Sequence, residues 1–444
     1  MADWLVKNAE LVSEGRRFHA DLRIHGQRID QIGEGLGAHA GEQVFDASGL
    51  WLLPGMIDDH VHFREPGYTS KADIASESRA AIAGGITSFI DMPNTRPATL
   101  THELLEDKYA IASRTSLANY GFHFGASNDN LDAIRSLDPR RVPGVKVFLC
   151  ESTGNLHVSD PATLEGVFRD SPVNVLVHAE DSHIIHGNLD RAKAEYGDDI
   201  PMRLHPQIRS REACFESTGW AVETARRHGT RLHVLHVSTA DELALFEPGP
   251  IAGKRITAET CVHFLRFSDG DYARLGGKIK CNPAIKAASD REALKRALAE
   301  TRIDILATDH APHLESEKAN PYTSCPSGIP LIQFALQSAL ELVFNGDLTL
   351  ERLVEVCAHA PATLFAIEDR GYLREGCFAD LTLVDPARPQ RVGKDQVLSK
   401  CGWSPFEGGT FRASIAATFV NGNPVVRDGK LLDAPPGMRL SFNR

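Results

Sequence analysis

Eight short apolar segments, at 57–63, 86–91, 120–124, 144–149, 173–178, 231–236, 255–259 and 303–308, constrain the fold of this chain more than any other feature. Most are followed by helical periodicity, as in 70–83, 207–228 and 289–300. Strands that are apolar along their whole length are buried on both faces, the signature of a parallel sheet covered by helices. Eight strand–helix units over about 300 residues predict an α/β fold, a (β/α)8 TIM-like barrel.

The two ends read differently. Segments 20–24 and 28–32 flank His25-Gly26-Gln27 as a tight hairpin, 380–384 and 416–420 have strand character, and Asn421-Gly422 and Asp428-Gly429 are hairpin dipeptides. Neither end is long enough for a core of its own, so the two are expected to pair. The expected division is a small β-sandwich from 1–54 plus 372–444 and a catalytic barrel from 55–371. Gly84-Gly85 reads as a helix end rather than a phosphate cradle, because it precedes a strand.

Composition removes several classes. A net charge of −11 without a Lys/Arg block argues against a nucleic-acid surface. No apolar run approaches the roughly 18 residues of a membrane span, and the start lacks the basic-then-apolar pattern of a signal peptide. The eight cysteines form no CxxC pair and read as reduced thiols. The expectation is a cytoplasmic protein acting on a small molecule, neither nucleic-acid nor membrane bound, with a homodimer as the default assembly.

Barrel chemistry sits at the C-terminal ends of the strands. Strand one ends in Asp58-Asp59-His60-Val61-His62-Phe63-Arg64, and strict alternation would put Asp58, His60, His62 and Arg64 on one face. Strand four carries Lys146 in an apolar run, strands five and six end in His178 and His236, and strand eight ends in Asp309-His310-Ala311-Pro312-His313. Each alone has an ordinary reading: a hydrogen-bonded core histidine, a lysine reaching along the wall to water, an aspartate N-cap. Together at one rim, four histidines, an aspartate and a lysine can serve two metal ions. An ammonium cannot ligate, but a neutral lysine that takes up CO₂ becomes a carbamate, an anionic group able to bridge two metals. His157, His183, His186 and His205 are expected to be surface or supporting residues.

The order HxH, barrel lysine, His178, His236 and Asp309 resembles the cyclic-amidohydrolase branch of the amidohydrolase superfamily, and within it the dihydroorotase family. Further matches are Asp91-Met92-Pro93-Asn94-Thr95, Lys280-Cys281-Asn282-Pro283-Ala284-Ile285-Lys286, Ala307 to His313, Pro326-Ser327-Gly328-Ile329-Pro330 and Cys401-Gly402-Trp403-Ser404-Pro405-Phe406. The resemblance implies two zinc ions, one on His60 and His62 and the other on His178 and His236. Carboxylated Lys146 would bridge them, and Asp309 would complete the first site and act as acid and base. It further implies that Arg64 and Asn94 bind a substrate carboxylate, with Asn282 and His313 at the ring and carboxylate.

The implied reaction is hydrolysis and closure of a cyclic amide, dihydroorotate to N-carbamoyl-aspartate and back, a step of pyrimidine synthesis. Allantoinase or hydantoinase activity is the alternative, since those substrates lack the ring carboxylate that Arg64 would clamp. An inactive scaffold for aspartate transcarbamoylase is the non-enzymatic alternative, although all six ligand positions are present. Two segments, 314–328 and 151–159, are candidates to close over substrate.

Overall fold

The computed structural model describes residues 3–150 and 156–444. All eight expected strands form. They are Met56–Val61, Ile86–Asp91, Asn119–Phe122 continuing as Phe124–Gly125, Gly144–Phe148, Asn174–His178, Leu232–Val234, Ile256–Cys261 and Ile305–Ala307. Every pairing between neighbours is parallel. Strand three breaks at His123, its first part pairing with strand two and its second with strand four. A parallel bridge from Val61 to His310 joins strand one to the end of strand eight and closes the barrel. The floor is apolar: Ile57, Ile90, Leu176 and Leu235 pack with Phe365, Leu440 and Phe442.

Helices cover the outside. Ile74–Ala83 starts in a capping box at Asp73 and stops at Gly84, followed by Gly85 at φ +81°, so the glycine pair is a helix end. The expected helix 207–228 starts later, as Arg211–His228, because the Ser210 hydroxyl caps Ala213 N while His205–Ile208 turns separately.

The terminal segments form one nine-stranded mixed sheet. Trp51–Pro54 lies between Trp4–Ser13, which it pairs in parallel, and Leu381–Asp385, which it pairs antiparallel. Trp4 and Phe419 are on strands separated by two others, so a flat sheet would hold them roughly 14 Å apart. Their rings lie 5.6 Å apart, which requires the sheet to fold into two layers. The bulge between Val6 and Ala9 provides the bend, since the two halves of that strand pair with Gln43–Asp46 and Trp51–Pro54. Asn421-Gly422 and Asp428-Gly429 are tight turns with positive φ at both residues. The last residues return to the barrel, where Arg439 bridges Tyr120.

Candidate active site

Strand one does not alternate strictly. Its partners run from Asp58↔Phe89 to Val61↔Asp91, three steps on one strand against two on the other, a one-residue bulge. The shared face expected for Asp58 is therefore wrong. Its carboxylate turns to Thr308, accepting from the hydroxyl at 2.6 Å and the amide at 3.2 Å. Asp59 instead lies near His233 inside the barrel. The bulge brings His60 and His62 back to the rim.

His60, His62, Arg64, Asn94, Lys146, His178, His236, Asn282, Asp309 and His313 all line one cavity of about 340 Å³ at the C-terminal ends of the strands. Three of them, Arg64, His236 and Asp309, have φ of 67°, 42° and 48°. Left-handed backbone at non-glycine residues costs about 1–3 kcal/mol each and turns these side chains inward from the strand ends.

Hydrogen-bond direction fixes what the imidazoles present. His60 Nδ1 lies 2.6 Å from Glu259 Oε1 and His62 Nδ1 lies 2.7 Å from Asn94 Oδ1. With Nδ1 donating to those acceptors, each ring turns Nε2 toward Asp309 Oδ1, at 3.3 Å and 3.1 Å. Two imidazole lone pairs facing a carboxylate oxygen repel unless a cation lies among them. On the opposite side His178 Nδ1 and His236 Nε2 are 2.9 Å apart, and His178 Nε2 meets Glu180 Oε2 at 2.8 Å. Glu180 is itself paired with Arg209. His236 Nδ1 is buried without a partner among the described residues. This donor set of imidazoles and carboxylate suits a divalent ion such as zinc.

Burial pushes His62 down to about 4, so it is neutral at physiological pH. Burial would raise Asp309, and positive charge at the His60 and His62 Nε2 atoms, a proton or a bound metal ion, is what holds its carboxyl down. Lys146, one layer deeper on strand four, stands 4.6 Å from the Phe148 ring and makes no ion pair among the described residues. Burial lowers it to about 8, partly offset by Asp309 and Glu259.

Glu259, outside every motif above, carries the same signal as Lys146: a lone charged residue in a buried strand, Ile256–Cys261. Burial opposes its charge, but His60 and His233 keep it ionised. Asp59 beside it is held protonated by burial and by the Glu259 charge. Replacing Glu259 with Gln is expected to weaken metal binding by about 10–100-fold by loosening His60, read by chelator competition. Unchanged affinity would exclude that orienting role.

Other packing places the remaining wall. Lys108 pairs with Asp91 at 2.5 Å and donates to Met92 O, fixing the turn that carries Asn94. Of the four histidines expected at the surface or in supporting positions, His205 is buried between Tyr322 and the Cys281 carbonyl, beside Asn282. Asn282 Oδ1 is buried and unpartnered among the described residues. Segment 314–328 is bolted in place. Lys318 Nζ donates to the carbonyls of Lys280, Pro326 and Gly328, each at 2.8 Å, and Lys280 Nζ to those of Tyr322 and Cys325. Opening it would strip two buried ammonium groups of their acceptors. Of the other candidate lid, 151–155 lie outside the described residues.

Residues 51–425 match the Amidohydrolase family. The chain is 36% identical over 430 residues to a dihydroorotase of Halobacterium salinarum, covering 95% of this chain and 96% of that protein. It is 34% identical over 432 residues to an allantoinase of Bacillus velezensis, covering 96% and 94%. An L-hydantoinase (dihydropyrimidinase) structure from Arthrobacter aurescens superposes with a TM-score of 0.93 at 27% identity, covering 99% and 100% of the two chains.

Proposed function

Because this chain belongs to the amidohydrolase family and is a hydrolase of cyclic amides, we propose that its substrate is dihydroorotate, interconverted with N-carbamoyl-aspartate. The observation that carries this reading is Arg64. Its side chain is buried at the cavity wall and forms no ion pair with a carboxylate among the described residues; Nε donates to Pro312 O at 3.1 Å. A buried guanidinium without an anion is costly, and a substrate carboxylate supplies the missing partner in forked geometry. Asn94 spends its carbonyl on His62 and so presents its amide N–H groups to the same cavity. Hydantoin and dihydrouracil carry no ring carboxylate and would leave this corner unpaired.

His60, His62, His178, His236 and Asp309 would hold two zinc ions, with a carboxylated Lys146 shared between them. Such ions, when bound, polarise a carbonyl and lower the pKa of water toward neutrality. The protein's own part is positioning and proton transfer. Arg64 and Asn94 hold the substrate carboxylate, and Asn282 faces the ring. Asp309, ionised and fixed by two histidines, takes the proton from the attacking water and returns it to the ring nitrogen as the carbon–nitrogen bond breaks. Hydroxyl is added to the carbonyl carbon and hydrogen to the nitrogen, so ring opening consumes one water and closure releases it.

The reading is tested by comparing turnover of dihydroorotate, hydantoin, dihydrouracil and allantoin on protein prepared with zinc and bicarbonate. Selective hydrolysis of dihydroorotate supports it; preference for an uncharged ring or for allantoin assigns the chain to the hydantoinase or allantoinase activities named among its relatives. Arg64→Met is expected to lower kcat/KM for dihydroorotate by about a hundredfold or more at unchanged metal content. Equal loss of metal and turnover would sink the carboxylate clamp.

A further inference from the structure

Lys71 lies between strand one and the helix Ile74–Ala83, outside every motif noted in the sequence. Its ammonium is 3.0 Å from His313 Nδ1 and 2.9 Å from Glu317 Oε1. An ammonium ion-paired to a carboxylate has N–H groups and no lone pair, so it only donates. His313 Nδ1 therefore accepts, and the ring proton sits on Nε2. There it meets the Ser327 carbonyl at 3.0 Å, a group that only accepts. One neutral tautomer satisfies both contacts, and the other satisfies neither.

Arg64 Nη2 lies 3.0 Å from the same Nε2. In this tautomer the Nε2–H is spent on the Ser327 carbonyl and Nε2 offers Arg64 no lone pair, so the Arg64 N–H is left without an acceptor at the cavity that both residues line. The ring has little freedom to turn away. Trp403, fully buried, donates from Nε1 to the His313 carbonyl at 2.8 Å and holds its backbone.

We propose that Lys71, held by Glu317, is a positioning residue that fixes His313 as the Nε2–H tautomer and thereby denies Arg64 an internal acceptor, leaving its guanidinium free to receive a carboxylate. The inference deepens the functional reading above and rests on it for the identity of the carboxylate. With the opposite tautomer, the Nε2 lone pair would accept from Arg64 and satisfy the clamp internally. The corner would then be better suited to an uncharged ring. Selectivity is in this way set by a pair that does not touch the ring being opened.

The test uses zinc-loaded protein labelled with ¹⁵N-histidine, with the His313 nitrogens assigned by their loss in His313→Gln. The wild type is expected to show Nδ1 unprotonated and Nε2 protonated. Lys71→Met should shift the pattern toward the other tautomer, and Lys71→Arg, which still donates, should keep it. With dihydroorotate, Lys71→Met should raise KM by about tenfold, the effect of one hydrogen bond in a charged network, with kcat nearly unchanged and metal retained. Lys71→Arg should restore most of that loss. A protonated Nδ1 in the wild type overturns the proposal, as does a Lys71→Met variant that loses kcat at constant KM. Should Lys71→Met fold poorly, the wild-type ring pattern and Lys71→Arg still decide. Failure of the wild type to turn over dihydroorotate would instead defeat the functional reading, because the nitrogen pattern is read without substrate.

Discussion

The Asp309→Asn variant is expected to lose about three to four orders of magnitude in kcat, the upper part of the range for removing a positioned proton-transfer group. The substitution is chosen for its backbone. Asp309 sits at φ 48°, where asparagine is tolerated and alanine is strained, so the strand-eight rim should keep its shape. Asparagine also keeps an oxygen for His60 and His62, which approach Oδ1 at 3.3 Å and 3.1 Å. What disappears is a carboxylate able to hold and release a proton. Rapid-quench kinetics together with metal analysis separates the two roles: retained metal with collapsed kcat supports proton transfer by Asp309. Turnover within about tenfold of wild type, at full metal content, would remove it from that role.

Lys146→Met is expected to be more damaging still, abolishing measurable turnover and roughly halving bound zinc, since a bridge would serve both ions. The lysine has no carboxylate partner among the described residues, and burial brings it down to about 8. At pH 7 about a tenth of such amines are neutral, against about one in three thousand for an ordinary lysine, and only the neutral amine reacts with CO₂. At a fixed concentration of dissolved CO₂, reactivation of metal-free protein with zinc should quicken as pH rises and level off near pH 8. An unperturbed lysine would keep accelerating toward pH 10. Reactivation independent of bicarbonate, or an active Lys146→Met protein, would falsify the carbamate assignment.

The barrel was legible because parallel strands buried on both faces are written as near-continuous apolar runs, and Gly144–Phe148 or Asn174–His178 can hardly be anything else. The rim residues were legible because histidine, lysine and aspartate at the ends of such runs are costly without a purpose. The bulge in strand one was not. Asp58 and Asp59 have the same charge, so the one-residue slip that separates them leaves no trace in the polar pattern. The orienting groups were equally hidden, because their meaning depends on partners far along the chain. Glu259 acts on His60 across 199 residues and Lys71 on His313 across 242. The start of the helix Arg211–His228 is masked because the separate turn His205–Ile208 continues its periodicity ahead of the Ser210 cap.

The place of Trp51–Pro54 in the terminal sheet also bears on how the chain is made. Its antiparallel partner, Leu381–Asp385, follows it by more than three hundred residues. At roughly 5–20 residues per second, a ribosome needs on the order of half a minute to deliver the second strand after the first. During that interval the nascent chain carries an open strand edge while the barrel assembles behind it, and Leu440 and Phe442, which seal the barrel floor, emerge later still. Both units can thus close only once residues 381–442 have left the ribosome, and chaperones that shield strand edges have their opportunity before then.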